Sequence, residues 1–239
     1  MHRQRGDDRG RRTSPIRARG SEYLGVARPT HVGPGAPVSQ WRPFDPADAD
    51  PEPLLQFARW FDEAEGQMPD REAVCVSSAT PGGRPSSRMV LLRHRDAASI
   101  GWYTNYDSRK GRELSTNPFA AVLWYCEGLG RQVRFEGPVE RMSEDRSDAY
   151  FAARPRGHQL GAHASAQSSR IDSREDLEEA VSALAQRFSG REVPRPKDWG
   201  GYLLLPHTVE FFQQREDRLH DRVLYSHVEG AWSRSRLSP

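Results

Sequence analysis

Between residues 73 and 142 apolar side chains recur at every second position, and this run limits the possible folds more than any other part of the chain. "AVCVSSA" (73–79), "SRMVLLR" (87–93), "SIGWYTN" (99–105), "PFAAVLWYC" (118–126) and "RQVRFEGPVERM" (131–142) each alternate as half-buried strands do. "PGGRPS" (81–86) joins the first two as a turn. Short strands return near the end in "GYLLL", "VEFF", "DRVLYSHV" and "AWSRSRL". Between them lie segments of helical period. "DPEPLLQFARWFDEAEG" starts with Asp50 as a cap and Pro51 in the first turn, and stripes Leu54, Phe57, Ala58, Phe61 and Ala64 on one face. "SRKGRELSTN", "SEDRSDAYFAAR" (143–154) and "SREDLEEAVSALAQRF" (173–188) are three more, the last opening with a Ser-x-x-Asp capping box. Mostly antiparallel short strands with a few interposed helices predict a mainly β, α+β chain closed into a small barrel. No GxGxxG, P-loop, HExxH or GxSxG is present, so a Rossmann or α/β-hydrolase reading has no support.

Charge divides the chain unevenly. Residues 1–20 hold seven Arg and two Asp, whereas the remaining 219 residues carry 28 basic and 31 acidic groups. The body therefore lacks the bulk charge of a nucleic-acid binder. Residues 1–45, rich in Gly, Pro and Arg and without period, read as a disordered or extended lead-in to one domain over 46–239. Cys75 and Cys126 are isolated thiols, and no apolar run approaches the roughly 18–20 residues needed to span a bilayer. These features predict a cytoplasmic protein with no membrane and no nucleic-acid partner.

Cationic residues cluster in four places. Alternation in "SRMVLLR" sets Arg88, Val90 and Leu92 on one face and Met89, Leu91 and Arg93 on the other. Arg109 and Lys110 open a helix, where free N–H groups already favour an anion, so a strand arginine beside them has the chemistry of a phosphate clamp, although the segment alone reads slightly more readily as a solvated helix start. "YFAARPRGHQLGAHASAQSSR" (150–170) reads as a Gly-interrupted loop loaded with Arg154, Arg156, His158, His163, Gln167, Ser168, Ser169 and Arg170, suited to a phosphate or carboxylate. His158 and His163 have no acidic or thiol partners at ligand spacing, so no metal is expected. "RLHDR" (218–222) puts Arg218, His220 and Arg222 on one parity, as a substrate-facing group or a salt-bridged turn. In "RQVRFEG" Gln132, Arg134 and Glu136 share a polar face.

Taken together, RMVLL (88–92), YTNYDSRKGREL (103–114), RQVRFEGPVER (131–141), YFAARPR (150–156), QSSRI (167–171), VPRPKDWGGY (193–202), RLHDR and the terminal RLSP resemble the FMN-dependent pyridoxamine/pyridoxine 5′-phosphate oxidases, from about Pro53 to Pro239. The resemblance implies an antiparallel, Greek-key split β-barrel that forms a homodimer with FMN at the subunit interface. It implies that Arg88, Arg109, Lys110, Gln167 and Ser168 hold the FMN phosphate and ribityl chain. Met89, Val90, Leu91, Leu92, Arg93, Tyr103 and Thr104 would line the flavin, with Gln132, Phe212 and Arg222 also against it. Arg93, Tyr150, Arg154 and His158 would hold the substrate phosphate, and Arg218 and His220 would cover the pyridine ring as the catalytic pair. The implied reaction oxidises a phosphorylated B6 vitamer to pyridoxal 5′-phosphate, with O2 as acceptor and H2O2 released. Departures fall on the substrate side. Arg93 stands for the usual Lys, His158 for a Ser, Phe212 for a Trp and Gln214-Arg215 for a Gly-Gly, while His163 stands where a Trp is common. They leave open a related flavin oxidase of secondary metabolism, similar to the phenazine-biosynthesis branch, or a non-catalytic flavin- or haem-binding barrel.

Overall fold

The computed structural model describes residues 42–239. Ten strands and five helices follow one another as α1 (Pro53–Glu63), β1 (Ala73–Ala79), β2 (Pro85–Leu91), β3 (His94–Arg95), β4 (Ile100–Asn105), α2 (Arg109–Thr116), β5 (Phe119–Cys126), β6 (Arg131–Arg141), α3 (Glu144–Ala152), α4 (Arg156–Ala164), α5 (Arg174–Arg187), β7 (Trp199–Leu204), β8 (Thr208–Gln213), β9 (Asp221–Val228) and β10 (Ala231–Arg236). Every strand pairing is antiparallel. The main path runs β10-β9-β8-β6-β5-β1-β2, and a branch runs from β6 through β7 to β4 and β3.

The branch point explains why the sheet curls. Arg131–Glu136 of β6 pairs with β8, and three residues later Val139–Arg141 pairs with β7. Gly137 and Pro138 lie between the two halves, and the link from β7 to β8 crosses there. The Leu205 N–H donates to Pro138 O at 3.0 Å and the His207 N–H to Glu136 O at 2.8 Å. A Cβ at position 137 would collide with the Leu205 carbonyl oxygen, so only glycine lets the two backbones approach this closely.

Helix α1 packs aromatic rings into the main core against β5, β6 and β8. Phe57 lies 4.8 Å from Phe135 and 5.6 Å from Trp124, edge-on to both, and Trp60 lies 5.1 Å from Phe211. Buried aromatic pairs of this geometry add to the area they remove from water, which is worth roughly 1.5–3 kcal/mol for each such side chain. The lead-in predicted over residues 1–45 lies outside the described residues up to position 41. Within 42–45, Phe44 is buried against Trp60 at 4.8 Å, and its N–H donates to Asp221 at 3.0 Å. A second cluster of Phe151, Leu160, Val193 and Trp199 packs beneath α3, α4 and α5.

Four local expectations change. Helix α1 starts at Pro53, not after an Asp50 cap. Asp50 instead accepts the Glu52 N–H at 2.9 Å and pairs with Arg59 at 2.6 Å, because Pro53 supplies a preset φ for the first turn. Strand β2 begins two residues earlier, at Pro85. His94–Arg95 forms a two-residue strand that periodicity cannot reveal. The stretch read as a loop over 150–170 contains helix α4, whose Gly157 and Gly161 hide its period while Gln159 and Leu160 are buried. Phe57 is only 1% exposed. Phe57→Ala is expected to cost about 3–5 kcal/mol in denaturant unfolding, through the cavity left among Phe61, Trp124 and Phe135.

Candidate active site

Strand β2 and the start of α2 bring three cations together. Ser108 caps α2 by accepting the Gly111 N–H at 3.3 Å. The helix start packs on the turn before it so tightly that a Cβ at Gly111 would collide with Tyr106 O. Lys110 is thereby buried, and its Nζ donates to Thr104 Oγ1 at 2.6 Å, Ser108 Oγ at 3.0 Å and Gln167 Oε1 at 2.8 Å. Burial, with a smaller contribution from the Arg88 charge, pulls its pKa down to about 8. Arg88 points inward as its parity requires, donating to Val76 O at 3.2 Å and Ser78 Oγ at 2.7 Å. Burial lowers its pKa too, opposed by Glu113. Arg109 is the exposed member and donates to Glu113 at 2.9 Å. Gln167 reaches this group from a turn in which Ser168 adopts φ 72°, a left-handed conformation that costs a non-glycine residue free energy.

The same cleft, about 850 Å³ in volume, continues past β2 and β4 to a second cationic end. Tyr103 and Tyr150 stack with centroids 3.8 Å apart, and Trp199 lies parallel to Tyr103 at 5.5 Å. The Arg154 guanidinium sits 4.7 Å from the Trp199 ring centre. Its Nη1 is buried with no hydrogen-bond partner among the described residues, and burial lowers its pKa. A buried, unpaired guanidinium N–H is costly unless an acceptor arrives. His158 and Arg93 also line the cleft, although Arg93 already pairs with Glu72. Met89, Val90, Leu91, Thr104 and Ser168 complete the wall among the expected residues, and Met89 is 64% exposed.

The remaining expected residues lie elsewhere. Leu92 is buried in the core. Gln132, Phe212, Arg218 and His220 line a separate pocket of about 480 Å³ with Leu123, Tyr125 and Gln214. This pocket shares no lining residue with the first cleft. Its floor is built on β5, β6 and β8, where Tyr125, Gln132 and Phe212 are cross-strand neighbours. From β2 to β8 is four strand spacings, about 19 Å along the sheet. The expected shared parity of Arg218 and His220 is broken by a turn in which Asp217 and Arg218 both have positive φ, 54° and 60°. His220 Nδ1 accepts the Arg215 N–H at 3.1 Å and its ring lies 4.7 Å from Phe212, while Arg218 is exposed. Arg222 is on neither pocket wall and donates to Glu210 at 2.7 Å. Sequence reasoning passed over Ser86, Glu113 and Trp199. Glu113 carried one signal, its four-residue spacing from Arg109, whereas Trp199 had only its place in the VPRPKDWGGY segment.

The model of the "Pyridoxamine 5'-phosphate oxidase" family matches residues 61–188. That of the "Pyridoxine 5'-phosphate oxidase C-terminal dimerisation region" matches residues 199–239. The chain belongs to the pyridoxamine 5′-phosphate oxidase family. A pyridoxine/pyridoxamine 5′-phosphate oxidase from Rubrobacter xylanophilus is 53% identical over 192 residues, covering 80% of this chain and 88% of the relative. One from Burkholderia ambifaria is 48% identical over 200 residues, covering 82% and 93%. Among solved structures, PhzG from Burkholderia lata in complex with tetrahydrophenazine-1-carboxylic acid superposes with a TM-score of 0.78 at 30% identity, covering 83% of this chain and 99% of that one. An FMN-binding, pyridoxamine 5′-phosphate oxidase-related protein from Nostoc punctiforme has a TM-score of 0.63 at 16% identity, covering 78% and 97%, and shares the fold.

For a member of this oxidase family the position of the second pocket has a ready meaning. Part of it comes from β8 and the loop before β9, inside the matched dimerisation region. The exposed face beside it carries Leu123 and Tyr125, 37% and 46% exposed, and continues across Cys75 to Met89. A run of exposed apolar side chains on one sheet face is the kind of surface that another chain covers.

The clamp's pH response follows from Lys110. A phosphate monoester completes its second ionisation near pH 6, and Lys110 is cationic below a pKa of about 8. Affinity of the protein for phenyl phosphate should therefore fall as pH rises from 7 to 9, by up to about tenfold. In Lys110→Met it should be weaker at pH 7 and nearly flat over that range, as calorimetric titration would measure.

Proposed function

We propose that this protein is an FMN-dependent oxidase. It converts pyridoxamine or pyridoxine 5′-phosphate to pyridoxal 5′-phosphate, using O2 and releasing H2O2. The observation that carries the reading is a single cleft with an anion grip at each end. Arg88, Arg109 and Lys110 form one, and the buried, unpaired Nη1 of Arg154 marks the other. Two phosphate esters, one on a cofactor and one on a substrate, account for both. Relatives with this activity in their names, 46–53% identical over most of the chain, support the choice of substrate.

The donor set fits FMN at the first grip. Three cations, the Thr104 and Ser168 hydroxyls and the amide of Gln167 suit a phosphate and a polyhydroxyl chain. The exposed Met89 and Leu91 beside them suit an aromatic ring system. Bound FMN would supply the redox chemistry, accepting a hydride equivalent from the C4′–H bond of the vitamer while a proton leaves the amine or hydroxyl, and passing the two electrons to O2 to give H2O2. With the amine, water then replaces nitrogen and ammonia leaves; with the alcohol, the aldehyde forms directly. The chain's own work is orientation. Arg154 and Tyr150, steadied by the ring stack with Tyr103 and Trp199, hold the substrate phosphate, with Arg93 and His158 at the rim.

Arg218, His220, Gln132 and Phe212 line a pocket that shares no residue with the cleft and lies up to four strands away along the sheet. We assign them to the cleft of a second copy, so that a homodimer holds two FMN sites at its interface. His220 keeps one ring nitrogen engaged by the Arg215 N–H and has the other available for the substrate. The likeness to PhzG supplies the second reading, an oxidase acting on a reduced phenazine acid. It differs in needing one phosphate grip, not two.

Purified protein should bind FMN, turn yellow and form one H2O2 for each pyridoxal 5′-phosphate. Protein that is yellow but inert toward both vitamers would instead support the phenazine reading. Arg218→Ala should lower kcat/KM by about 100-fold or more while FMN remains bound, read by oxygen uptake and by flavin absorbance. Flavin loss would mean that Arg218 holds the cofactor.

A further inference from the structure

A carboxylate beside an anion grip needs a reason, because like charge weakens the binding of a phosphate. Glu113, on the first turns of α2, is such a group, with a side chain only 6% exposed. Its two oxygens serve different arginines. Oε1 accepts from Arg109 Nε at 2.9 Å. Oε2 lies 3.4 Å from Arg88 Nη2 and accepts from the hydroxyls of Ser78 and Ser86, each at 2.6 Å. Those hydroxyls in turn accept from Arg88, through Nη1 for Ser78 and Nη2 for Ser86. Arg88 belongs to β2, Ser78 to β1 and Arg109 to α2. One carboxylate thus fixes the spacing of two guanidiniums from separate elements, and two serines complete its acceptor capacity.

Three consequences follow. Glu113 already tethers both guanidiniums when no anion is present, so less side-chain freedom is lost on binding. The three cations and the one carboxylate leave a net charge of +2, which matches a phosphate monoester dianion and not the excess that three unbalanced cations would carry. Glu113 also stays ionised in this setting. Burial pushes its pKa up, but hydrogen bonds from Ser78, Ser86 and Arg109 outweigh that and bring it down to about 2.

We propose that Glu113 is a positioning residue that spaces Arg88 and Arg109 for the phosphate of FMN, and that it thereby sets the preference of the site for FMN over riboflavin. This rests on the reading of the cleft as an FMN site. The opposing account, in which Glu113 only ties α2 to the sheet and adds an unhelpful negative charge, makes the opposite prediction of sign.

The test is a pair of affinities, measured by flavin fluorescence quenching on apoprotein. Wild type should bind FMN far more tightly than riboflavin. In Glu113→Gln the FMN affinity should fall by about tenfold or more while riboflavin affinity moves by less than about twofold, so that the preference shrinks. A preference that stays the same or grows would overturn the positioning role and leave the FMN site intact. No preference in the wild type would sink both. Glu113→Asp keeps the charge but shortens the reach, and serves if the Gln variant does not fold. It should also lose preference, and an Asp variant equal to wild type would overturn the proposal. A melting temperature for each variant separates loss of helix anchoring from loss of the grip.

Discussion

Strand β6 carries the architecture. Its first half belongs to one sheet and its second half to another, and the handover takes place at Gly137 and Pro138, where the Leu205–His207 link crosses the strand. The curl that follows brings β4 and β7 behind β2 and α2, which makes the cleft, and leaves β5, β6 and β8 presenting an open face. With a side chain at position 137 the β7–β8 link could not sit where it does, and the two sheets would lose their common strand.

That geometry leaves the proposed site in two separate parts on one chain. The cleft holds cationic side chains at both ends, which we read as two phosphate grips, but has an exposed wall at Met89 and Leu91. The second pocket holds an arginine, a histidine, two glutamines and aromatic rings, without a cluster of cations like that of the cleft. Each part is short of what the other has. Association of two copies through the apolar face would supply the missing wall to both, and it ties assembly of the site to assembly of the dimer.

The strands were legible because burial on one face imposes alternation. In β6 Val133 and Phe135 are fully buried while Gln132 and Arg134 face out, as the sequence pattern requires. Arg88, Arg109 and Lys110 were legible for a similar reason, since strand parity and a helix start are local properties. Three things were not. Helix α4 hides behind two glycines. Arg218 sits in a left-handed turn, so strand parity said nothing about where it faces. Trp199 enters the site through ring stacking with Tyr103 and Tyr150, residues about fifty to a hundred positions away, and tertiary contacts of that kind leave no local pattern.

A complementation measurement bears most directly on the claim that two copies share each site. Arg154→Ala removes the second phosphate grip and Arg218→Ala removes the group from the other pocket. Co-expressed, the two variants form heterodimers that contain one site with both defects and one with neither. If the site spans two chains, a mixture of individually inactive variants should regain roughly a quarter of wild-type turnover, the share expected for random pairing in a two-fold dimer. If each site lies within one chain, no intact site can form, and turnover of the mixture will stay at the level of the separate variants.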